Sequence, residues 1–135
     1  MKDCIFCKIV NGDIPCMKVY EDDTCLAYLD INPDSDGHTL IIPKKHYKDM
    51  FDIPSDVVFH ILEIAKKLMK ELQKRLNCDG FTLLNNIGEI QEVKHFHLHI
   101  KPYYKDKHPV KLVKDEKLIK EPKDVYEIVK GATIN

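Results

Sequence analysis

Residues 94–102, running Lys94, His95, Phe96, His97, Leu98, His99, Ile100, Lys101, Pro102, constrain this chain more than any other stretch. Three histidines alternate with three large apolar residues, and a period of two marks a strand with one buried face. Phe96, Leu98 and Ile100 are expected to enter a core, with His95, His97 and His99 together on the opposite face. Such a face is either a solvated, adventitiously metal-binding surface or a place of chemistry, and strict alternation of titratable rings favours chemistry. Pro102 cannot donate to a ladder, so the strand is expected to end beside it. Alternate strand residues lie about 6.6 Å apart, which puts the Cα atoms of His95 and His99 about 13 Å apart, against zinc–nitrogen bonds of about 2 Å. One ion is therefore a poor match to all three. A row of donors and acceptors suits an extended anion, with one imidazole free to act as nucleophile or base.

The rest of the chain reads as short strands around one long helix. Strands are expected over 18–20, 25–30, 38–42 and 81–84, separated by turn residues such as Asn32-Pro33 and Ser35-Asp36-Gly37. Ser55 is a candidate N-cap for a helix ending near Asn77, with an apolar stripe through Val58, Ile61, Leu62, Ala65, Leu68, Met69, Leu72 and Leu76. Glu63 with Lys67 and Glu71 with Arg75 are spaced to pair on its outer side. With a helical turn over 4–10, these elements predict an α+β fold, a helix packed on an antiparallel sheet. His60 has no partner recognisable in the sequence.

At 135 residues, 44% hydrophobic and 32% charged, the chain is expected to form one domain over 1–135 with a core of its own. No apolar run approaches the roughly 20 residues that span a bilayer, and Met1-Lys2-Asp3-Cys4 lacks a signal-peptide core, so no membrane contact and a cytoplasmic location are expected. The net charge of −1 argues against a dedicated nucleic-acid binder. It conceals nine lysines against four acids over 94–123, a stretch that either steers a phosphorylated ligand or is simply a solvated surface. Five cysteines, an odd number, read as reduced thiols. Cys4 and Cys7 form a Cys-x-x-Cys half site for zinc; a redox pair and two unmetallated structural thiols are the competing readings. Ile5-Phe6 between the cysteines, and the absence of a preceding strand, count against the redox pair.

Several blocks in register over about residues 4–104 resemble the histidine-triad (HIT) superfamily. They are Cys4 to Ile9 with Gly12-Asp13-Ile14-Pro15, Val19 to Asp22, Ala27 to Pro33, Gly37 to His46, Asn85-Asn86-Ile87-Gly88, Gln91-Glu92-Val93, and the histidine segment itself. The match is nearest the Hint-like branch in its prokaryotic Cys-x-x-Cys variety. The resemblance implies a HIT-like antiparallel sheet of about five strands, one long helix and a short N-terminal helix. It implies a nucleotide hydrolase or transferase acting at the α-phosphate of purine nucleotide conjugates similar to adenosine phosphoramidate. His97 would attack phosphorus, the His95 carbonyl would hold its other nitrogen, and His99 would contact phosphate oxygens or the leaving group. Asp30 would take the ribose hydroxyls. Phe6, Ile9, Ile14, Leu29 and Ile31 would wrap the base, and Asn86, Gln91, Glu92 and Val93 would serve the phosphate end. His46 and His95 would complete a structural zinc site with Cys4 and Cys7, and a homodimer is implied. A dinucleoside polyphosphate hydrolase and a non-catalytic nucleotide-binding or zinc-stabilised interaction module are the rival functions. The chain departs from the pattern in the short Gly88–Gln91 segment, where Ile90 replaces a glycine, in Glu92, where some members carry a hydroxyl, and in Lys101, where an apolar residue is expected. A carboxylate at 92 cannot donate to phosphate when ionised, so these changes bear on phosphate affinity and substrate range.

Overall fold

The structure is a computed structural model that describes residues 3–107, 114, 115, 117, 120–132 and 134. Helix α1 (Ile5–Val10) opens it, with the Cys4 thiol accepting the Cys7 backbone N–H at 3.4 Å as a cap. Strands β1 (Lys18–Glu21), β2 (Cys25–Leu29) and β3 (Thr39–Pro43) follow, then helix α2 (Ser55–Leu76), β4 (Gly80–Leu84), a 3₁₀ turn at Gly88–Ile90 and β5 (Leu98–Tyr103). All pairings are antiparallel and the sheet order is β1-β2-β3-β5-β4. A last helix, α3 (Pro122–Val129), begins on a proline at its first turn. It was not expected from the sequence, whose lysine-rich stretch runs into it.

The alternation along the strands builds a core on each face of the sheet. Cys25, Ala27 and Ile41 join Phe96, Leu98 and Ile100 beneath Ile61, Ile64 and Ala65 of α2. Leu26, Tyr28, Leu40 and Ile42 face the other way, against Phe6 and Cys7 of α1. Covered on both sides, β2 and β3 read as continuous apolar runs, whereas β5 has the alternating burial of a strand whose second face does something else.

Several expectations are corrected. The histidine segment is only partly strand: β5 begins at Leu98, and His95, Phe96 and His97 lie before it, where the Phe96 N–H donates to Tyr47 O at 2.7 Å. Pro102 lies inside β5, opposite Phe81; β3 pairs with β5 only as far as Thr39 against Ile100, so the proline stands where that side of the ladder has stopped. Ser55 is the first helical residue and Pro54 the N-cap, with no side-chain cap bond. Glu63 pairs with Lys66 at 3.5 Å, one residue from the expected Lys67, while Arg75 and Glu71 meet at 3.2 Å as expected. His60 does have a partner: its Nε2 lies 2.6 Å from Asp22 Oδ2. Lys111 and Glu116 of the lysine-rich stretch, and Met1 and Lys2, lie outside the described residues. Among the described residues, no helix is long and apolar enough to cross a membrane.

Asp22 ties the β1–β2 hairpin to α2. Oδ1 accepts the Thr24 and Cys25 N–H groups at 2.8 Å each, and Oδ2 accepts the Tyr20 hydroxyl at 2.8 Å besides His60. Burial raises the carboxyl pKa, but the bonds from Cys25 N–H, His60, Tyr20 and Thr24 N–H outweigh it and hold the group well below the usual carboxylate range. A depressed folded pKa gives stability that is present above the unfolded value of about 4 and lost as pH falls through the folded one. Urea unfolding followed between about pH 5 and pH 2 is expected to show that acid limb in the wild type and a flatter one in Asp22→Asn. Gly37, at φ +90°, precedes His38 in a space where a Cβ would sit 2.5 Å from Leu76 Cδ1 and 3.2 Å from Pro102 Cγ. Gly37→Ala is expected to destabilise by about 1–3 kcal/mol, read from the same unfolding curves at neutral pH.

Candidate active site

The register of β3 on β5 sets Leu40 opposite His99 on the face of the sheet that α1 covers, and Ile41 opposite Leu98 on the α2 face. The three histidines divide into two environments there. His95 is fully buried, and its Nε2–H donates to Pro43 O at 2.9 Å. That bond leaves the Nδ1 lone pair facing Cys4 Sγ at 3.4 Å and Cys7 Sγ at 3.6 Å, while His46 Nδ1 lies 3.3 Å from Cys7 Sγ. Zinc bonds of about 2.3 Å to sulfur and about 2.05 Å to nitrogen make a tetrahedral S–N edge of about 3.6 Å. The four ligand atoms, all within 4.8 Å of one another, fit that ion, and the His95 Nε2–H bond to Pro43 O selects the tautomer a metal needs. Burial, opposed by the Pro43 bond and aided by His46 and His97, holds the His95 pKa down to about 4.

His97 turns the other way. Its Nδ1–H donates to His95 O at 2.8 Å, so in the neutral ring Nε2 keeps its lone pair. Phe6 meets the ring edge-on, with centroids 4.9 Å apart, and Asn85 Nδ2 donates to His97 O at 2.9 Å. Burial lowers the pKa of His97, against the raising effects of the His95 bond, Asp30 and Glu92. The His99 ring stands 4.9 Å from that of His97, and its Nδ1 lies 2.9 Å from His38 Nε2. Burial, then His97, His38 and Lys101, push the His99 pKa down to about 4.

Both rings line two neighbouring cavities that share lining residues. One of about 400 Å³ has apolar walls including Phe6, Ile9, Ile14, Leu29, Ile31 and Val93, with Asp30, Glu92, His97 and His99 on its polar side. The other, about 310 Å³, is polar: Asn86, Asp34, His38 and Lys101 line it with the shared Asp30, Asn32, Glu92, His97 and His99. Of the expected nucleotide-contacting residues, Gln91 alone lines neither cavity. Its side chain is buried and its Nε2 donates to Lys48 O at 2.6 Å, while Lys94 Nζ clamps the short loop by donating to Gly88 O and Gln91 O at 2.8 Å each. His38, Asn32, Asp34, Lys101, Tyr28 and Cys16 are cavity residues that the sequence reading did not assign. His38 stood within a matched block, and the signal for its role is the β3–β5 register, which a sequence does not display.

A HIT domain profile matches residues 11–106. The chain belongs to the HIT family. This HIT protein is 45% identical over 101 residues to adenosine 5'-monophosphoramidase hnt1 of Schizosaccharomyces pombe, 73% of each chain being covered. It superposes on the crystal structure of a HIT family protein from Bacillus anthracis with a TM-score of 0.83 at 41% identity, covering 94% of this chain and 92% of that one. A zinc-bound histidine triad protein from Mycobacterium smegmatis gives a TM-score of 0.77 at 36% identity, over 86% and 85% of the two chains.

A half-buried histidine held neutral has a definite pH signature. The His99 pKa of about 4 lies below the unfolded value of about 6.5, so its contribution to stability is present above pH 6.5 and lost as pH falls toward 4. Chemical denaturation across that window is expected to show a steeper loss in the wild type than in His99→Gln.

Proposed function

We propose that this HIT protein hydrolyses, or transfers the nucleotidyl group of, purine nucleotide conjugates of the adenosine phosphoramidate kind, through a nucleotide held covalently on His97. The observation that carries this reading is the Nε2 lone pair of His97, fixed by the Nδ1–H bond to His95 O and placed where an apolar and a polar cavity meet. The name of the Schizosaccharomyces pombe relative supports the substrate class. Phe6, Ile9, Ile14, Leu29 and Ile31 would enclose the base, and the Asp30 carboxylate would accept the ribose hydroxyls. Asn86, Glu92 and the backbone N–H groups of Glu92 and Val93 would serve the phosphate end, the Gln91 N–H being engaged by Gly88 O at 3.0 Å.

In the first step the bond from His97 Nε2 to phosphorus forms as the bond from phosphorus to the amine nitrogen breaks. The amine departs with the bonding pair and takes a proton from solvent. In the second step water adds to phosphorus, the phosphorus–His97 bond breaks, its electron pair returns to Nε2, and the water releases a proton to solvent. His99 would donate to the charged oxygens of the reacting group. Zinc on Cys4, Cys7, His46 and His95 would be structural, holding α1 against the segment before β5. The chain would act as one domain in the cytoplasm and as a homodimer: β4 is an edge strand, and Leu83 on it and Phe59 and Leu62 on α2 are exposed.

Intact-protein mass spectrometry after a brief quench with adenosine 5′-phosphoramidate is expected to show an AMP adduct on the wild type and none on His97→Gly, whose turnover falls on the order of 10⁴-fold or more. Nucleotide binding without adduct or AMP release would sink the reading. Metal analysis is expected to find about one zinc per chain, lost in Cys7→Ser together with a lower thermal midpoint.

A further inference from the structure

The loop before β3 carries a chain of hydrogen bonds whose direction can be read from one end to the other. It begins at a backbone amide, the Asp34 N–H, which donates to His38 Nδ1 at 3.1 Å. An amide does not titrate, so His38 Nδ1 must be a lone pair and the proton of the neutral ring must sit on Nε2. That Nε2–H faces His99 Nδ1 at 2.9 Å, with Asp30 Oδ2 farther off at 3.8 Å. His99 Nδ1 is therefore an acceptor, and the single proton of neutral His99 is on Nε2. An extra proton on either ring would set two N–H groups against each other along the chain. Burial, which lowers the pKa of both rings, acts in the same direction.

His97 and His99 thus receive opposite tautomers from opposite sides. The His95 carbonyl takes the Nδ1 proton of His97 and leaves Nε2 bare; His38 fills Nδ1 of His99 and leaves Nε2–H to donate. A neutral imidazole that surrendered its one proton would become an imidazolate, so this arrangement holds developing charge and does not supply the proton of the leaving group. We infer that His38 is a positioning residue that fixes His99 as a neutral Nε2–H donor beside the nucleophile. The identity of the acceptor, a phosphoryl oxygen, rests on the proposed function; the tautomer does not.

Nitrogen-15 NMR of the imidazoles, on the full chain without nucleotide, tests this. The wild type is expected to show His99 protonated on Nε2 and bare on Nδ1. His38→Phe keeps a ring but removes the donor; His99 is then expected to populate the Nδ1–H form, and turnover of adenosine 5′-phosphoramidate to fall on the order of tenfold to a hundredfold. His38→Gln can accept from the Asp34 N–H and donate to His99, so it is expected to restore both the tautomer and most of the rate. A wild-type His99 protonated on Nδ1, an unchanged tautomer in His38→Phe, or a Gln variant as impaired as Phe would overturn the inference. Should His38→Phe not fold, the wild-type spectrum and the Gln variant decide it. A wild type with no AMP adduct would defeat the proposed reaction while leaving the tautomer measurement to stand by itself.

Discussion

The buried His95 is where the structure of the site begins. Its ring has no contact with water, so both nitrogens need partners within the protein, and they find them in opposite directions: Pro43 O on β3 for Nε2–H, and the two thiols of the α1 turn for Nδ1. Its carbonyl, free of the sheet ladder because β5 starts only at Leu98, is thereby available to His97 Nδ1. Had the strand run through residue 95 as the alternation implies, that carbonyl would be drawn toward ladder pairing. The local departure from regular strand is what lets one residue anchor the N-terminal turn through its side chain and orient the neighbouring histidine through its backbone.

The two faces of the sheet divide the labour. The α2 face carries ordinary close packing, with Phe96 and Ile100 almost fully enclosed, and this fixes the height and twist of β5. The α1 face is thinner: a six-residue helix covers only part of it, and the uncovered part becomes the two cavities. Phe6 is shared between the two roles, packing against Tyr28 while it meets the rings of His95 and His97 edge-on. The position of α1 therefore bears directly on the site, and a metal held at the candidate site of Cys4, Cys7, His46 and His95 would fix that position.

Periodicity exposed much of this from the sequence, and its failures have identifiable causes. The long helix and the inward set Phe96, Leu98 and Ile100 were readable because burial on one face imposes a regular period, and the other strands stood out as short runs between turn residues. The end of β5 was misread because a rule about proline assumes that both sides of the ladder continue, and the β3 side stops at Thr39. His60 looked partnerless because Asp22 lies 38 positions away in the chain. His38 was part of a matched block, but its relation to His99 across 61 residues arises only from strand pairing. Gln91 was expected to offer its backbone N–H to the phosphate end; in the short loop that N–H donates to Gly88 O at 3.0 Å and the side chain turns inward to Lys48 O.

The acids around the cavities fit the same electrostatic logic. An anion entering a site lined by Asp30, Asp34 and Glu92 meets repulsion, and Lys101 offsets part of it while held 2.6 Å from Asp34. Asp30 and Glu92 also raise the pKa of His97, which is to say that they favour positive charge on that ring. Under the proposed chemistry the ring becomes cationic when Nε2 bonds to phosphorus with Nδ1–H retained, so the same carboxylates that oppose the bound anion stabilise the covalent state relative to it. On that reading Glu92 in place of a hydroxyl would exchange a donor to phosphate for a counter-charge to His97. Under that chemistry the apolar walls and the ribose contacts would carry much of the binding, and Glu92 and Asp30 would also act on the step in which His97 changes charge.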